Sequence, residues 1–196
     1  MMLLAVPISV VQFWTFSACG LIFFLFLLRA LSRRGPEAGA RRDRRSQLGI
    51  LIQTIGIGLA GFGPIEPILA PSSTASIVGT IVVLLLMSGA IGLFAASSRA
   101  LGGNWSLVAR TRSDHELVRT GPYSRVRHPI YLGMLLFLLA LAVALGHWAQ
   151  LLLALPLFFA GTAIRTKAED SLLEQSFGNA FRDYRSSTPS LIPRLF

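Results

Sequence analysis

The fold class the sequence predicts is all-α: an integral membrane protein with about five transmembrane helices and a cytoplasmic helical C-terminal region. Three observations predict it. Hydrophobic residues make up 53% of the 196-residue chain and charged residues 14%, against about 25% charged in soluble domains. The apolar residues gather in runs comparable to the roughly 20 residues a spanning helix needs. The 18 Lys and Arg fall into three segments only, 29–45, 99–127 and 165–194. With five spans those segments share one side of the membrane. The positive-inside rule then puts the N-terminus outside and the C-terminus in the cytoplasm, in the inner membrane of the cell. The whole chain, 1–196, reads as one membrane domain, with three spans in 1–98 and the chemistry-bearing half in 99–196.

The spans follow in order. Residues 4–31 form the first; no Lys or Arg precedes Arg29, so the basic start of a cleaved signal peptide is missing and the helix is retained. The loop 32–46 holds six of the arginines and suits anionic lipid headgroups. It has no interleaved aromatic residues, which argues against nucleic acid despite a net charge of +9. Residues 48–70 form the second span. It contains Gly56-Ile57-Gly58-Leu59-Ala60-Gly61, a formal match to the dinucleotide fingerprint. An apolar helix, with no preceding strand, is the wrong setting for it. Close helix packing is the better use of such glycines. Pro64 and Pro67 break this span near its far end, where Glu66 is either an interfacial acid or a buried functional carboxylate. Residues 76–98 form the third span, with Ser88, Gly92 and Ala96 as a small-residue packing stripe. Pro129 opens the fourth, 129–145, at the first helical position, where its missing N–H costs nothing. Gly146-His147-Trp148 turns the chain into a short fifth span, 149–164, antiparallel to the fourth. The tail carries an apolar stripe of Leu173, Phe177 and Phe181. Gly178-Asn179 interrupts it, with Asn179 a candidate N-cap.

The chemistry concentrates where the basic loop enters the fourth span. His128 stands at the helix entrance among unpaired N–H groups, a ready place for an anion. Tyr123 and Tyr131 flank it. On the far side of the fifth span Arg165 and Glu169 are four residues apart and share a helix face. They form either a surface ion pair or part of a site at the membrane edge. The single cysteine, Cys19, excludes an internal disulfide and multi-cysteine metal sites. No His or Cys spacing suits zinc, and no Ser-His-Asp set is apparent. No metal is expected.

The run Arg127-His128-Pro129-Ile130-Tyr131-Leu132-Gly133, with Gly121-Pro122-Tyr123 upstream and Glu169-Asp170 downstream, resembles the core of the isoprenylcysteine carboxyl methyltransferase family and its phospholipid methyltransferase relatives. The resemblance spans roughly residues 101–193. It implies an S-adenosyl-L-methionine-dependent methyltransferase whose cofactor lies among helices and loops without a Rossmann sheet. It implies cofactor contacts at His115, Glu116, Leu117, Val118, Tyr123, His128, Pro129, Ile130, Tyr131 and Glu169, and a substrate-orienting role for Arg165, with Arg165 and Glu169 the catalytic pair. Arg110 matches poorly, and Asp170 replaces the second Glu of the usual pair. The implied acceptor is a lipophilic, isoprenylcysteine-like carboxylate or another small molecule, with membrane lipids as partners and no nucleic acid. A phospholipid amine, a small thiol, or a non-catalytic helical membrane role stand as alternatives. A carboxylate acceptor needs no general base; an amine or thiol needs one, from Glu169 or a histidine.

Overall fold

The computed structural model describes residues 5–32, 41–108, 110–111 and 116–191. They form six α-helices: α1 Val10–Ser32, α2 Arg45–Ala60, α3 Thr74–Leu101, α4 Pro129–Leu145, α5 Leu151–Phe177 and α6 Asn179–Ser187. The only sheet among them is a two-residue antiparallel pair, β1 Arg41–Arg42 on β2 Arg110–Thr111.

Local sequence explains most helix ends. The Ser9 hydroxyl accepts from the Gln12 backbone N–H at the start of α1, and Ser73 caps α3 by accepting from the Ser76 N–H, as N-cap serines do. Pro129 is the first residue of α4. Gly146 ends it in the left-handed conformation, φ 75°. A Cβ there would lie 2.0 Å from the Val6 carbonyl oxygen, so glycine is required twice over.

Among the described residues three helices are long and apolar enough to cross a membrane: α1, α3 with its 3-10 extension to Asn104, and α5. α4 follows the expected 129–145 span at 17 residues. The second expected span, 48–70, is shorter than the sequence suggested. α2 has 16 residues and stops at Ala60, because Gly61, Gly63, Pro64 and Pro67 favour an irregular return. The fifth is longer. The expected span 149–164 is the first part of α5, which runs on through Arg165 to Phe177, in keeping with a tail expected to begin as helix. Ala168 and Leu172 are buried on its continuing apolar face, so the polar stretch has a packing reason to stay helical. At about 1.5 Å per residue its 27 residues run roughly 40 Å, beyond the ~30 Å hydrocarbon core. Asn179 is not a cap: Gly178 holds that position at φ 52°, with no side-chain cap bond.

α5 packs chiefly on α2, and α4 chiefly on α3, with α1 against α3. The connected pair α4 and α5 touch each other only lightly, so the expected hairpin is not the main packing unit. Ala60, Leu138, Ala142, Ala154 and Phe158 are fully buried where α2, α4 and α5 meet. Glycine brings α2 close to α5. A Cβ on Gly161 would sit 2.6 Å from the Gly49 carbonyl oxygen, and one on Gly56 would sit 2.9 Å from that of Ala154. Of the fingerprint-like glycines, Gly56 and Gly58 thus lie inside α2 and Gly61 follows its end; they serve packing in part, and Gly58 faces open space. The stripe Ser88, Gly92 and Ala96 is exposed. α3 instead buries Val83, Met87, Ala90 and Phe94, because Val83, Met87 and Phe94 on that face offer more apolar surface to α1 and α4.

The basic segments converge at one end of this bundle. β1 and β2 tie the first to the second, and Arg127 pairs with Asp170 in the third at 3.3 Å. Glu66 lies at the opposite end, exposed, with its backbone carbonyl accepting from the Ile8 N–H. Its exposure sets aside the buried one of the two open readings.

Candidate active site

The loop before α4 is bent by Gly121, φ 61°, into the 3-10 turn Gly121–Ser124, which turns Tyr123 inward. The C-terminal segment then clamps this loop. The backbone N–H groups of Arg127 and His128 donate to the carbonyls of Pro189 and Ser190, at 2.9 and 3.0 Å. The Tyr184 hydroxyl donates to the Tyr123 carbonyl at 2.6 Å. Arg127 donates through Nη1 to the carbonyls of Arg185 and Thr188. Residues about sixty positions apart in the chain are thus fastened around the entrance of α4.

His128 occupies the N-cap position of α4 but makes no side-chain cap bond. Its buried ring lies between two carboxylates, with Nδ1 3.2 Å from Glu169 Oε2 and Nε2 3.0 Å from Asp170 Oδ1. Burial alone would lower its pKa, but the hydrogen bonds to Asp170 and Glu169 outweigh burial and raise it to about 9. At neutral pH it is an imidazolium donating to both acids. That removes His128 from the general bases the sequence left open. Asp170, of uncertain use in the sequence, holds the far side of His128 and takes Arg127 on its other oxygen. The other oxygen of Glu169 accepts a hydrogen bond from the Tyr131 hydroxyl. The Glu169 side chain stays 28% exposed, within reach of a ligand. Burial, with the Glu169 carboxylate and Tyr184 nearby, pushes the Tyr123 phenol well above its usual range, so it stays protonated.

Arg165 is 5% exposed and is not paired with Glu169. Its Nη1 donates to Gln53 Oε1 at 2.6 Å and its Nη2 to the Leu107 carbonyl at 2.9 Å. The guanidinium carbon stands 4.7 Å from the centre of the Tyr131 ring, a cation–π distance. The Nε–H groups of Arg165 and Arg127 are buried with no hydrogen-bond partner among the described residues. Buried donors of that kind call for an acceptor.

These groups surround one cavity of about 220 Å³. Of the residues singled out in the sequence, Glu116, Leu117, Val118, Tyr123, His128, Ile130, Tyr131, Arg165 and Glu169 line it. Pro129 is buried in the first turn of α4 and does not line it; it sets the helix start. His115 lies outside the described residues, and the side chain of Arg110 likewise. Sequence reasoning missed the apolar wall: Phe23 and Leu27 from α1, Phe94 from α3, then Trp105, Met134 and Leu172. Phe23, Leu27, Phe94 and Met134 look like ordinary span residues, and no sequence signal separates them; Trp105 and Leu172 fall outside the expected spans, in the loop and the tail. It also missed Gln53, whose signal was available: an amide in the middle of an apolar span.

The donor set suits S-adenosylmethionine. Glu116 and Glu169 offer carboxylates to an ammonium group, and Tyr123 and Trp105 offer aromatic faces to a sulfonium or a purine. Arg127 keeps an Nε–H without a partner among the described residues for a carboxylate. Among the described residues no group of His, Cys, Asp and Glu is arranged to hold a metal ion.

Comparisons with known proteins bear on this arrangement. The chain is 32% identical over 87 residues to a protein-S-isoprenylcysteine O-methyltransferase of Schizosaccharomyces pombe, covering 44% of this chain and 37% of that one. It is 37% identical over 121 residues to the cobalt-zinc-cadmium resistance protein CzcN of Cupriavidus metallidurans, covering 60% and 53%. Among solved structures it resembles the eukaryotic intramembrane Ras methyltransferase ICMT, an isoprenylcysteine carboxyl methyltransferase, with a TM-score of 0.50 and 21% identity, over 76% of this chain and 52% of that one. That likeness concerns the fold, an all-helical integral membrane protein. The chain spans about half the length, or less, of these relatives. The sequence model of the phospholipid methyltransferases matches residues 75–180. That match covers more than half of the chain and takes in the whole charged end of the cavity. The chain belongs to the phospholipid methyltransferase family.

Proposed function

We propose that the protein is an S-adenosylmethionine-dependent methyltransferase at the cytoplasmic face of the inner membrane, acting on the carboxylate of a lipophilic, isoprenylcysteine-like acceptor. One observation carries the reading. A single cavity has Arg165, Tyr131, His128 and Glu169 at one end and Phe23, Leu27, Phe94 and Trp105 along its walls. A charged end beside an apolar wall fits an acceptor with a polar head and a greasy body. The named methyltransferases among its relatives support the same chemistry.

Glu169, Glu116, Tyr123 and the loop Leu117-Val118 are the groups we assign to the cofactor. When bound, S-adenosylmethionine supplies an electrophilic methyl group on a sulfonium. The residues of the chain do the positioning. The His128 imidazolium and the Tyr131 hydroxyl fix Glu169, so its carboxylate is held in one orientation before any ligand arrives. Arg165 keeps three of its five N–H groups free of partners among the described residues. Arg165 lines the cavity, where its remaining N–H groups suit a two-pronged grip on a carboxylate. The apolar walls exclude water, which favours a step in which opposite charges cancel.

An amine or thiol acceptor requires a base. With His128 protonated, Glu169 is the group left for that task, and the phospholipid methyltransferase match keeps the amine reading in view. The deciding experiment is a labelled-methyl assay on detergent-purified protein with prenylcysteine, phospholipid and small-thiol acceptors, beside calorimetry with S-adenosylhomocysteine. Methylation of the prenylcysteine carboxylate is the expected result. Transfer only to an amine or thiol replaces the acceptor class. No binding of S-adenosylhomocysteine at all leaves the non-catalytic reading.

A further inference from the structure

Arg165 is held by a residue far away in sequence. Gln53 is 1% exposed in the middle of α2. Its Oε1 accepts from Arg165 Nη1 at 2.6 Å, and its Nε2 donates to Thr162 Oγ1 at 2.8 Å. The orientation of this amide is forced by chemistry. A guanidinium only donates, so Gln53 must turn its oxygen to Arg165 and its NH₂ to the Thr162 hydroxyl. The Gly49–Gly161 contact lets the two backbones approach closely enough for this. A Cβ on Gly161 would lie 2.7 Å from the Gln53 backbone nitrogen, and one on Gly49 would lie 2.6 Å from Arg165 Cγ. With the Leu107 carbonyl on Nη2, the guanidinium is pinned at both terminal nitrogens. Its Nε edge is left without a partner among the described residues.

We propose that Gln53 is a positioning residue for the acceptor: it fixes the rotation of the Arg165 guanidinium so that one edge faces the acceptor's anionic group. The inference rests on the acceptor role of Arg165 proposed above. Gln53 lies outside residues 75–180, the part matched by the family, so the segment preceding the match contributes to acceptor recognition. Thr162 acts one step further back, by fixing the amide.

The test uses the full chain in detergent, with Gln53→Leu, Gln53→Glu, Thr162→Val and Arg165→Lys. Three readouts are taken: acceptor KM and kcat, S-adenosylhomocysteine affinity, and the arginine side-chain nitrogen NMR spectrum. Gln53→Leu removes the acceptor atom at similar size. It should raise acceptor KM by about tenfold while S-adenosylhomocysteine affinity stays near that of the unaltered protein. Gln53→Glu restores an acceptor for Arg165 and should recover most of the loss. Thr162→Val should shift KM in the same direction as Gln53→Leu. A guanidinium held at both ends rotates slowly and gives separate Nη signals, identified by their loss in Arg165→Lys. They should merge in Gln53→Leu and persist in Gln53→Glu. A normal KM in Gln53→Leu beside an impaired Arg165→Lys overturns the positioning role and leaves the proposed function standing. If Arg165→Lys is also normal, the acceptor role of Arg165 falls with it. Unmerged signals in Gln53→Leu overturn the clamp itself whatever the acceptor. Should Gln53→Leu fail to fold, a normal KM and spectrum in Thr162→Val decide against the proposal.

Discussion

At the scale of single residues, His128 and Arg165 are defined by what surrounds them. The imidazolium of His128 joins two acids that would otherwise face each other across a buried space. Its pKa stands near 9 instead of 6.5, so its contribution to stability is complete below about pH 6.5 and is lost as pH rises through 9. Loss of that charge costs on the order of 3 kcal/mol, since each tenfold gain in proton affinity is worth about 1.4 kcal/mol. The melting temperature of the detergent-solubilised protein should therefore fall between pH 6.5 and 9, and His128→Gln should flatten the slope. Equal slopes in the two proteins contradict the imidazolium. His128→Ala and Glu169→Ala should each weaken S-adenosylhomocysteine by about 1–3 kcal/mol, the scale for hydrogen bonds to charged groups; full affinity in both moves the cofactor elsewhere. Arg165 already spends one N–H on Gln53 and another on Leu107, so a lysine cannot serve both and still grip a carboxylate with two prongs. Arg165→Lys should reduce kcat/KM by tenfold or more, about 1.4 kcal/mol, with cofactor affinity little changed. A near-normal rate points to an amine or thiol acceptor.

At the scale of elements, the glycines separate into those that set helix distance and those that face open space. Gly161→Ala drives a methyl group against the Gly49 carbonyl and the Gln53 backbone. Overpacking of this kind costs typically 1–3 kcal/mol. Gly92 lies on an exposed face of α3, and a Cβ there would meet nothing within 4 Å, so Gly92→Ala should be neutral or stabilise by roughly 0.5–1 kcal/mol. Thermal unfolding of the two variants side by side checks this; equal effects count against the close α2–α5 contact. The same contrast explains what the sequence made legible. The α4 boundary was readable because Pro129 and Gly146 mark it locally. So was the cluster from Tyr123 to Tyr131, since one short segment carries it. The stripe Ser88, Gly92 and Ala96 has the right spacing for packing, yet only the neighbouring helices decide which face is buried. The helical start of the tail is legible in its apolar spacing, but its unbroken continuation from the fifth span depends on the burial of Ala168 and Leu172. Gln53 and Thr162 are 109 positions apart, and no local pattern announces such a pair.

At the scale of the whole molecule, the bundle has a basic end and an end nearly free of charge. Arg41 and Arg42 pair with Arg110 and Thr111 across the small sheet, and Arg127 reaches Asp170 on α5. Three basic segments distant in sequence thus share one end, and the cavity's charged groups lie at that end. The opposite end is closed by backbone hydrogen bonds and by the His147 ring. The Val6 N–H donates to Gly146, the Leu69 N–H to Ile8, and the His147 ring meets the carbonyls of Ala60 and Pro64 at 3.1 and 3.0 Å. Positive charge is retained on the cytoplasmic side during insertion. We therefore expect the cavity's charged end to face the cytoplasm and the Ser73 end to face outward. In a background where Cys19, the single native cysteine, is replaced by alanine, Ser73→Cys should react with a membrane-impermeant maleimide in intact cells. Ser187→Cys, at the end of α6, should react only after permeabilisation. The reverse pattern inverts the protein and removes the cavity from the cytoplasmic pool of S-adenosylmethionine on which the proposed chemistry depends.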